Sequence, residues 1–100
     1  MQVTVKWSGG FAASSEQSVS LDTSTLSAAA ASELGKLVSD VDFFNLPANP
    51  PGQKVGADFI KCEVTVTDQG RQHTVTFNND DDAPSTASLR DLARRVSELK

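Results

Sequence analysis

One hundred residues with a 38% hydrophobic share are enough for a single folded domain, which we assign to residues 1–100, and too few for two separate cores. Nine Lys or Arg against 13 Asp or Glu give a net charge of −4, which argues against a nucleic-acid binder and against a basic membrane-surface helix. The chain has one Cys and one His, which excludes an intrachain disulfide and a Cys/His zinc cluster and makes an enzyme an unfavoured class.

The first 22 residues predict two strands joined by a loop. Apolar and polar residues alternate over residues 2–8 and again over residues 17–21, which is the pattern of strands with one buried face. Gly9 and Gly10 end the first strand, and Phe11–Ser15 is predicted to be a loop. No basic region precedes an apolar run at the start of the chain, so we expect no secretion signal and a cytoplasmic location.

The next segment predicts a helix over residues 26–40, because its apolar residues recur at helical spacing. Residues 22–25, Asp-Thr-Ser-Thr, supply the candidate N-caps. Pro47 excludes continuation of the helix, and Phe43 and Phe44 are expected to seal its end against a sheet.

Residues 48–57 hold two prolines and two glycines and predict a long loop. The strongest structural signal follows, a hairpin whose two alternating strands span residues 60–67 and 72–77. Gly70 in the connecting Asp-Gln-Gly is expected to take the positive φ angle that such a turn needs.

The last element is predicted to be an amphipathic helix that begins near Pro84, with Ser85 or Thr86 as its cap. Its apolar stripe runs from Leu89 to Leu99, and its arginines are expected on the solvent side. The resulting order, β-β-α-β-β-α, predicts an α+β fold: a four-stranded antiparallel sheet with two helices packed on one face.

The residues with chemical potential favour structural roles. His73 lies on the apolar face of its strand, where a structural role is expected, and Cys62 is expected to be a buried, unreactive thiol. The acidic stretch Asn78–Asp82 lacks the Gly and Glu positions of an EF-hand loop, and Ser8–Gly10 lacks the Lys and following helix of a phosphate loop. We therefore expect no catalytic residue, no metal site and no cofactor.

Four segments in register resemble the emfourin family, and together they run over nearly the whole chain. In chain order they are residues 8–12 (SGGFA), residues 42–47 (DFFNLP), residues 56–58 (GAD) with residues 70–75 (GRQHTV), and Pro84 with residues 89–92 (LRDL). The resemblance implies a small protein inhibitor of protealysin and related thermolysin-like zinc metalloproteases. It implies a non-enzymatic role, reversible blocking of the partner, and genes that lie beside the protease gene and encode proteins without a secretion signal.

Within this family resemblance, a loop of small residues around one aromatic residue is the candidate protease-binding site. Thermolysin-like enzymes prefer a bulky apolar residue after the scissile bond, so Phe11 is expected to fill that pocket, although it can instead anchor its loop to the core. The predicted contact residues are Ser8, Gly9, Gly10, Phe11, Ala12 and Ala13, with a second contact loop at Pro50, Pro51, Gly52 and Gln53. If the inhibitor ligates the enzyme's zinc, Glu16, Asp22 or a backbone carbonyl must supply the ligand; steric blockage is the alternative.

Two other functional classes remain at this point, and the free protein is expected to be a monomer. One is an interaction module that pairs a sheet edge with another chain and inhibits nothing. The other is a small enzyme or ligand carrier on the sheet face, which ranks last because only one of its residues is polar. That face is predicted to consist of Val3, Val5, Trp7, Val19, Leu21, Ile60, Cys62, Val64, Val66, His73, Val75 and Phe77.

Overall fold

The computed structural model of this protein describes residues 1–9, 17–48, 60–78 and 86–99. The strands are β1 (Gln2–Gly9), β2 (Gln17–Asp22), β3 (Ile60–Asp68) and β4 (Arg71–Asn78). The helices are α1 (Ala28–Asp40) and α2 (Ala87–Leu99), and a 3-10 turn spans Phe43–Asn45. The predicted order β-β-α-β-β-α and the α+β class are confirmed.

The four strands form one antiparallel sheet in the order β2-β1-β3-β4. The two strand pairs, β1 with β2 and β3 with β4, therefore lie side by side, with β1 and β3 in the centre. Val5 lies opposite Val19 of β2 on one side and opposite Val64 of β3 on the other. This register places the alternating apolar residues of all four strands on the same face of the sheet.

The core lies between that face and the two helices. Alternate strand residues are buried there together with Leu34 and Val38 of α1 and four residues of α2. Trp7, Val19 and His73 are only partly buried at its margin, and Ile60 is described in its backbone alone. The buried apolar strand residues are Val3, Val5, Leu21, Cys62, Val64, Val66, Val75 and Phe77.

The opposite face of the sheet carries hydroxyl and charged side chains. Thr4 and Ser20 share a hydrogen bond of 2.9 Å between their hydroxyl oxygens across β1 and β2, and Thr65 and Thr74 do the same across β3 and β4. With its apolar face under the helices, the sheet offers no open apolar surface among the described residues for a ligand. The ligand-carrier class is thereby excluded for that face.

Helix α1 begins two residues later than predicted, and its cap is not in residues 22–25. Ser27 is the N-cap, with an extended backbone and a hydroxyl that accepts a hydrogen bond of 3.2 Å from the Ala30 amide. Asp22 instead caps a turn, because its carboxylate accepts from the amide and hydroxyl of Ser24. Leu26 precedes the helix and packs against the core.

Helix α2 has the predicted apolar stripe, but its arginines are not all directed to solvent. Arg95 reaches across to α1 and pairs with Glu33, which joins the two helices at their exposed rim. Arg94 follows the prediction and forms surface ion pairs within its own helix, with Asp91 and Glu98. A helical period shows which residues face away from the sheet, but the neighbouring helix determines which of them meet a partner.

The turn between β3 and β4 consists of two residues that both adopt positive φ. Gln69 has φ 52° and Gly70 has φ 80°, and Asp68 pairs with Arg71 on either side of them. Two positive φ angles in a two-residue loop define the type I′ hairpin turn. The prediction for Gly70 is confirmed. Neither helix in the described part of the chain has the length and apolar character needed to cross a membrane.

Candidate functional site

The structure describes the beginning of the predicted protease-binding loop and not its tip. Ser8 and Gly9 are the last two residues of β1, and the Ser8 side chain is exposed. The other predicted contact residues, 10–13 and 50–53, lie outside the described residues, as does Glu16. Their roles stay predictions.

The sheet holds both ends of that loop. Trp7 lies opposite Gln17, so β2 is paired with β1 from its first residue after the loop segment 10–16. On its other side β1 stays paired to β3 through Ser8 and Gly9. A loop whose two ends are fixed in this way loses less conformational freedom when it binds a partner than a free segment does.

The second predicted contact segment rejoins the sheet at the same place. Gly9 lies opposite Ile60, the first residue of β3, and Lys61 lies opposite Asn78, the last residue of β4. Residues 10–16 and 49–59 therefore both connect to one end of the sheet. Tertiary pairing thus brings together the ends of two segments that are about forty residues apart in the sequence.

Asp22 lies at the other end of the sheet, opposite Gln2. Hydrogen bonds from the Ser24 amide, from the Ser24 hydroxyl and from the Gln2 side chain lower the pKa of the Asp22 carboxyl. That carboxylate is engaged in its own turn, with the whole length of β2 between it and the predicted loop. This position does not favour Asp22 as a ligand of the partner's zinc, and the suggestion that it is one stays a prediction.

One known protein family matches the chain from within β1 to within α2. The family model described as Emfourin matches residues 5–97. The chain belongs to the Emfourin family. No curated protein and no solved structure matches it significantly. Emfourin membership confirms the resemblance noted in the sequence and suggests a metalloprotease-inhibitor role with a protease as partner.

His73 is a structural residue in this emfourin-family chain, as its position predicted. Its Nε2 lies 2.7 Å from the Leu46 carbonyl oxygen, and because a carbonyl only accepts, Nε2 carries the proton. The Phe43 ring meets the imidazole edge-on at 5.5 Å between centroids. The side chain is thus held by one backbone acceptor and one aromatic contact.

Sequence reasoning missed the segment that covers the outer edge of β4. The Thr76 amide donates a hydrogen bond of 2.8 Å to the Ala48 carbonyl, close to the contact between His73 and Leu46. Residues 46–48 therefore run along β4 immediately before the second predicted contact segment. Pro47 was the available signal, because a residue before proline favours extended backbone.

Cys62 offers no nucleophile. Its side chain is fully buried on the core face of β3, and desolvation there, with a smaller contribution from Glu63, raises the pKa of the thiol to about 12. The thiol is therefore protonated and inaccessible at neutral pH. Among the described residues no group of three or more His, Cys, Asp or Glu side chains is placed to hold a metal ion.

Proposed function

We propose that this emfourin-family protein is a reversible inhibitor of a thermolysin-like zinc metalloprotease of the protealysin type. The observation that carries the proposal is the family match over residues 5–97, which includes the strands and helices that build the domain. The proposed role needs no catalytic residue and no cofactor of the inhibitor itself.

In the proposed mechanism the loop from Ser8 to Ala13 enters the active-site cleft of the protease. Phe11 fills the apolar pocket that follows the scissile position, where burial of the ring contributes about 1.5–3 kcal/mol. Gly9 and Gly10 have no side chains, so the backbone can approach the floor of a narrow cleft. The pairing of Trp7 with Gln17 and of Gly9 with Ile60 supports this mechanism, because it fixes the base of the loop.

A second candidate function is an interaction module that binds through a sheet edge without inhibiting an enzyme. The position of β2 favours it, since β2 is an outer strand of the sheet. Such a module would depend on backbone pairing and would keep its affinity when Phe11 is lost. The two functions are thus separable by one side chain.

The deciding experiment titrates the purified protein against a thermolysin-like protease from the same organism, with a quenched fluorescent peptide as substrate. Stoichiometric loss of peptidase activity at nanomolar inhibitor is the expected result. Full activity at micromolar protein would overturn the inhibitor proposal and leave the interaction module. Trypsin, a serine protease, is the control, because a metalloprotease inhibitor leaves its activity unchanged.

A further inference from the structure

The outer edge of β2 carries backbone groups that point away from the rest of the sheet. Along a strand of an antiparallel sheet, the backbone N–H and C=O of successive residues point alternately toward the neighbouring strand on one side and toward the opposite side. The Thr76 amide points outward to Ala48, and Thr76 lies opposite Glu63. The backbone groups of Glu63 therefore point toward β1 and form hydrogen bonds with Lys6, which lies opposite.

The same alternation determines which backbone groups of β2 point away from the sheet. Since Lys6 and the other even-numbered residues of β1 bond to β3, its odd-numbered residues bond to β2. The Thr23 amide donates to the Met1 carbonyl at 3.0 Å, which continues the odd-numbered series. The backbone N–H and C=O of Ser18 and Ser20 consequently point outward from the sheet. Within residues 1–9, 17–48, 60–78 and 86–99, none of these groups has a hydrogen-bond partner.

In the described part of the chain, this edge lacks the features that normally prevent pairing with another chain. Edge strands of monomeric proteins are protected by lysine, proline, bulges or a covering segment. Residues 17–21 of β2 contain no charge and no proline, and β2 pairs with β1 without a bulge. The opposite edge, on β4, is covered by residues 46–48. The small side chains of Ser18 and Ser20 allow a second backbone to approach closely.

We infer that the outer edge of β2 pairs with an extended segment of the inhibited protease, in addition to the loop contact. This inference rests on the proposed function. Gln17, the first residue of β2, directly follows the loop segment 10–16, so this edge begins where the proposed loop contact ends in the chain. The protease segment presents free main-chain groups to Ser18 and Ser20, with an apolar residue beside the half-buried Val19.

A second copy of the chain fits this edge less well than a partner does. Each copy carries a net charge of −4, so self-pairing brings like charges together. The edge is also short, because only Ser18 and Ser20 present both backbone groups outward, while the Asp22 carbonyl accepts from the Thr25 amide. Such a contact is weak unless another contact holds the same partner. The loop beside it supplies that contact in the inhibitory complex.

The test replaces Ser18 with proline. Ser18→Pro removes the outward N–H and no hydrogen bond of the sheet, and proline is tolerated on an edge strand in that orientation. Ser18→Ala is the matched control, because it removes the hydroxyl and keeps the N–H. We expect Ser18→Pro to raise the inhibition constant about tenfold, while Ser18→Ala inhibits like the wild type and both variants keep the wild-type thermal midpoint.

A second measurement is independent of proline. Hydrogen exchange of the Ser18 and Ser20 amides in the wild-type protein is expected to slow when the protease is added. Equal inhibition by Ser18→Pro and wild type, with unprotected amides in the complex, would overturn the edge contact and leave the inhibitor proposal intact. A dimer of the free protein that Ser18→Pro dissociates, with inhibition unchanged, would overturn it in favour of a second copy. A wild-type protein that does not inhibit would overturn both proposals.

Discussion

Phe11 is the side chain on which the proposed contact depends most directly. Replacing it with alanine removes the ring that is expected to fill the protease pocket, at a cost of about 1.5–3 kcal/mol. We therefore expect Phe11→Ala to weaken inhibition by about tenfold or more, while the thermal midpoint changes little. Titration of the protease and a thermal melt measure the two quantities.

The control for this variant is Phe11→Leu, which keeps an apolar side chain and is expected to retain most of the inhibition. Equal potency of Phe11→Ala and wild type would remove Phe11 as the anchor. A large drop in the thermal midpoint of Phe11→Ala would instead assign the ring to the core of its own domain.

Cys62 provides a test of the core at the level of one atom. Because burial raises the pKa of its thiol to about 12, less than one molecule in a thousand carries a thiolate at pH 8. We expect no reaction with a thiol reagent at pH 8 in the folded protein and rapid reaction after unfolding in guanidinium. Fast labelling of the native protein would contradict the assignment of β3's apolar face to the core.

At the scale of elements, the β3–β4 turn requires residues that tolerate positive φ. Gly70 has φ 80°, and no atom lies within 4 Å of the position that a Cβ would take, so an alanine there meets backbone strain and no clash. We expect Gly70→Ala to lower the free energy of unfolding by about 1–2 kcal/mol. Chemical denaturation monitored by circular dichroism measures the change.

Gln69, the other residue of this turn, provides a matched variant that is expected to change the stability in the opposite direction. Gln69 has φ 52°, and asparagine is the residue that most readily takes the first position of a type I′ turn. Gln69→Asn is therefore expected to raise the unfolding midpoint. A Gly70→Ala protein as stable as the wild type would show that the turn adopts another geometry in solution.

At the scale of the whole molecule, one core joins both helices to one face of the sheet. Leu92 of α2 is 1% exposed and belongs to the same buried cluster as Val5 of β1 and Val64 of β3. Leu92→Asp places a carboxylate in that cluster without a partner, so we expect the domain to lose cooperative unfolding altogether. The measurement is a thermal melt followed by circular dichroism.

Ser97→Asp is the matched control for Leu92→Asp, because Ser97 is exposed on the same helix. It is expected to melt like the wild type, since its carboxylate stays in water. A soluble Leu92→Asp protein with a sharp melting transition would show that the buried face of α2 has been assigned incorrectly.

The order of the elements and the α+β class followed from the sequence alone, because hydrophobic periodicity is a local property. Val3 and Val5 define a strand face, and Leu89 with Leu92 defines a helix face, whatever lies opposite. The positive φ of Gly70 was equally predictable, since the tight turn between two alternating runs demands it. The family resemblance also depended on residues read in order, and the match over residues 5–97 confirmed it.

Only the tertiary structure decided which strands are neighbours and which groups remain free. Nothing local to residues 17–22 shows that β2 is an outer strand, or that residues 46–48 cover the opposite edge. The cap at Ser27 and the pairing of Arg95 with Glu33 depended on where α1 meets its surroundings. These contacts join residues far apart in the chain, so their energies depend on the packed arrangement and leave no periodic trace in the sequence.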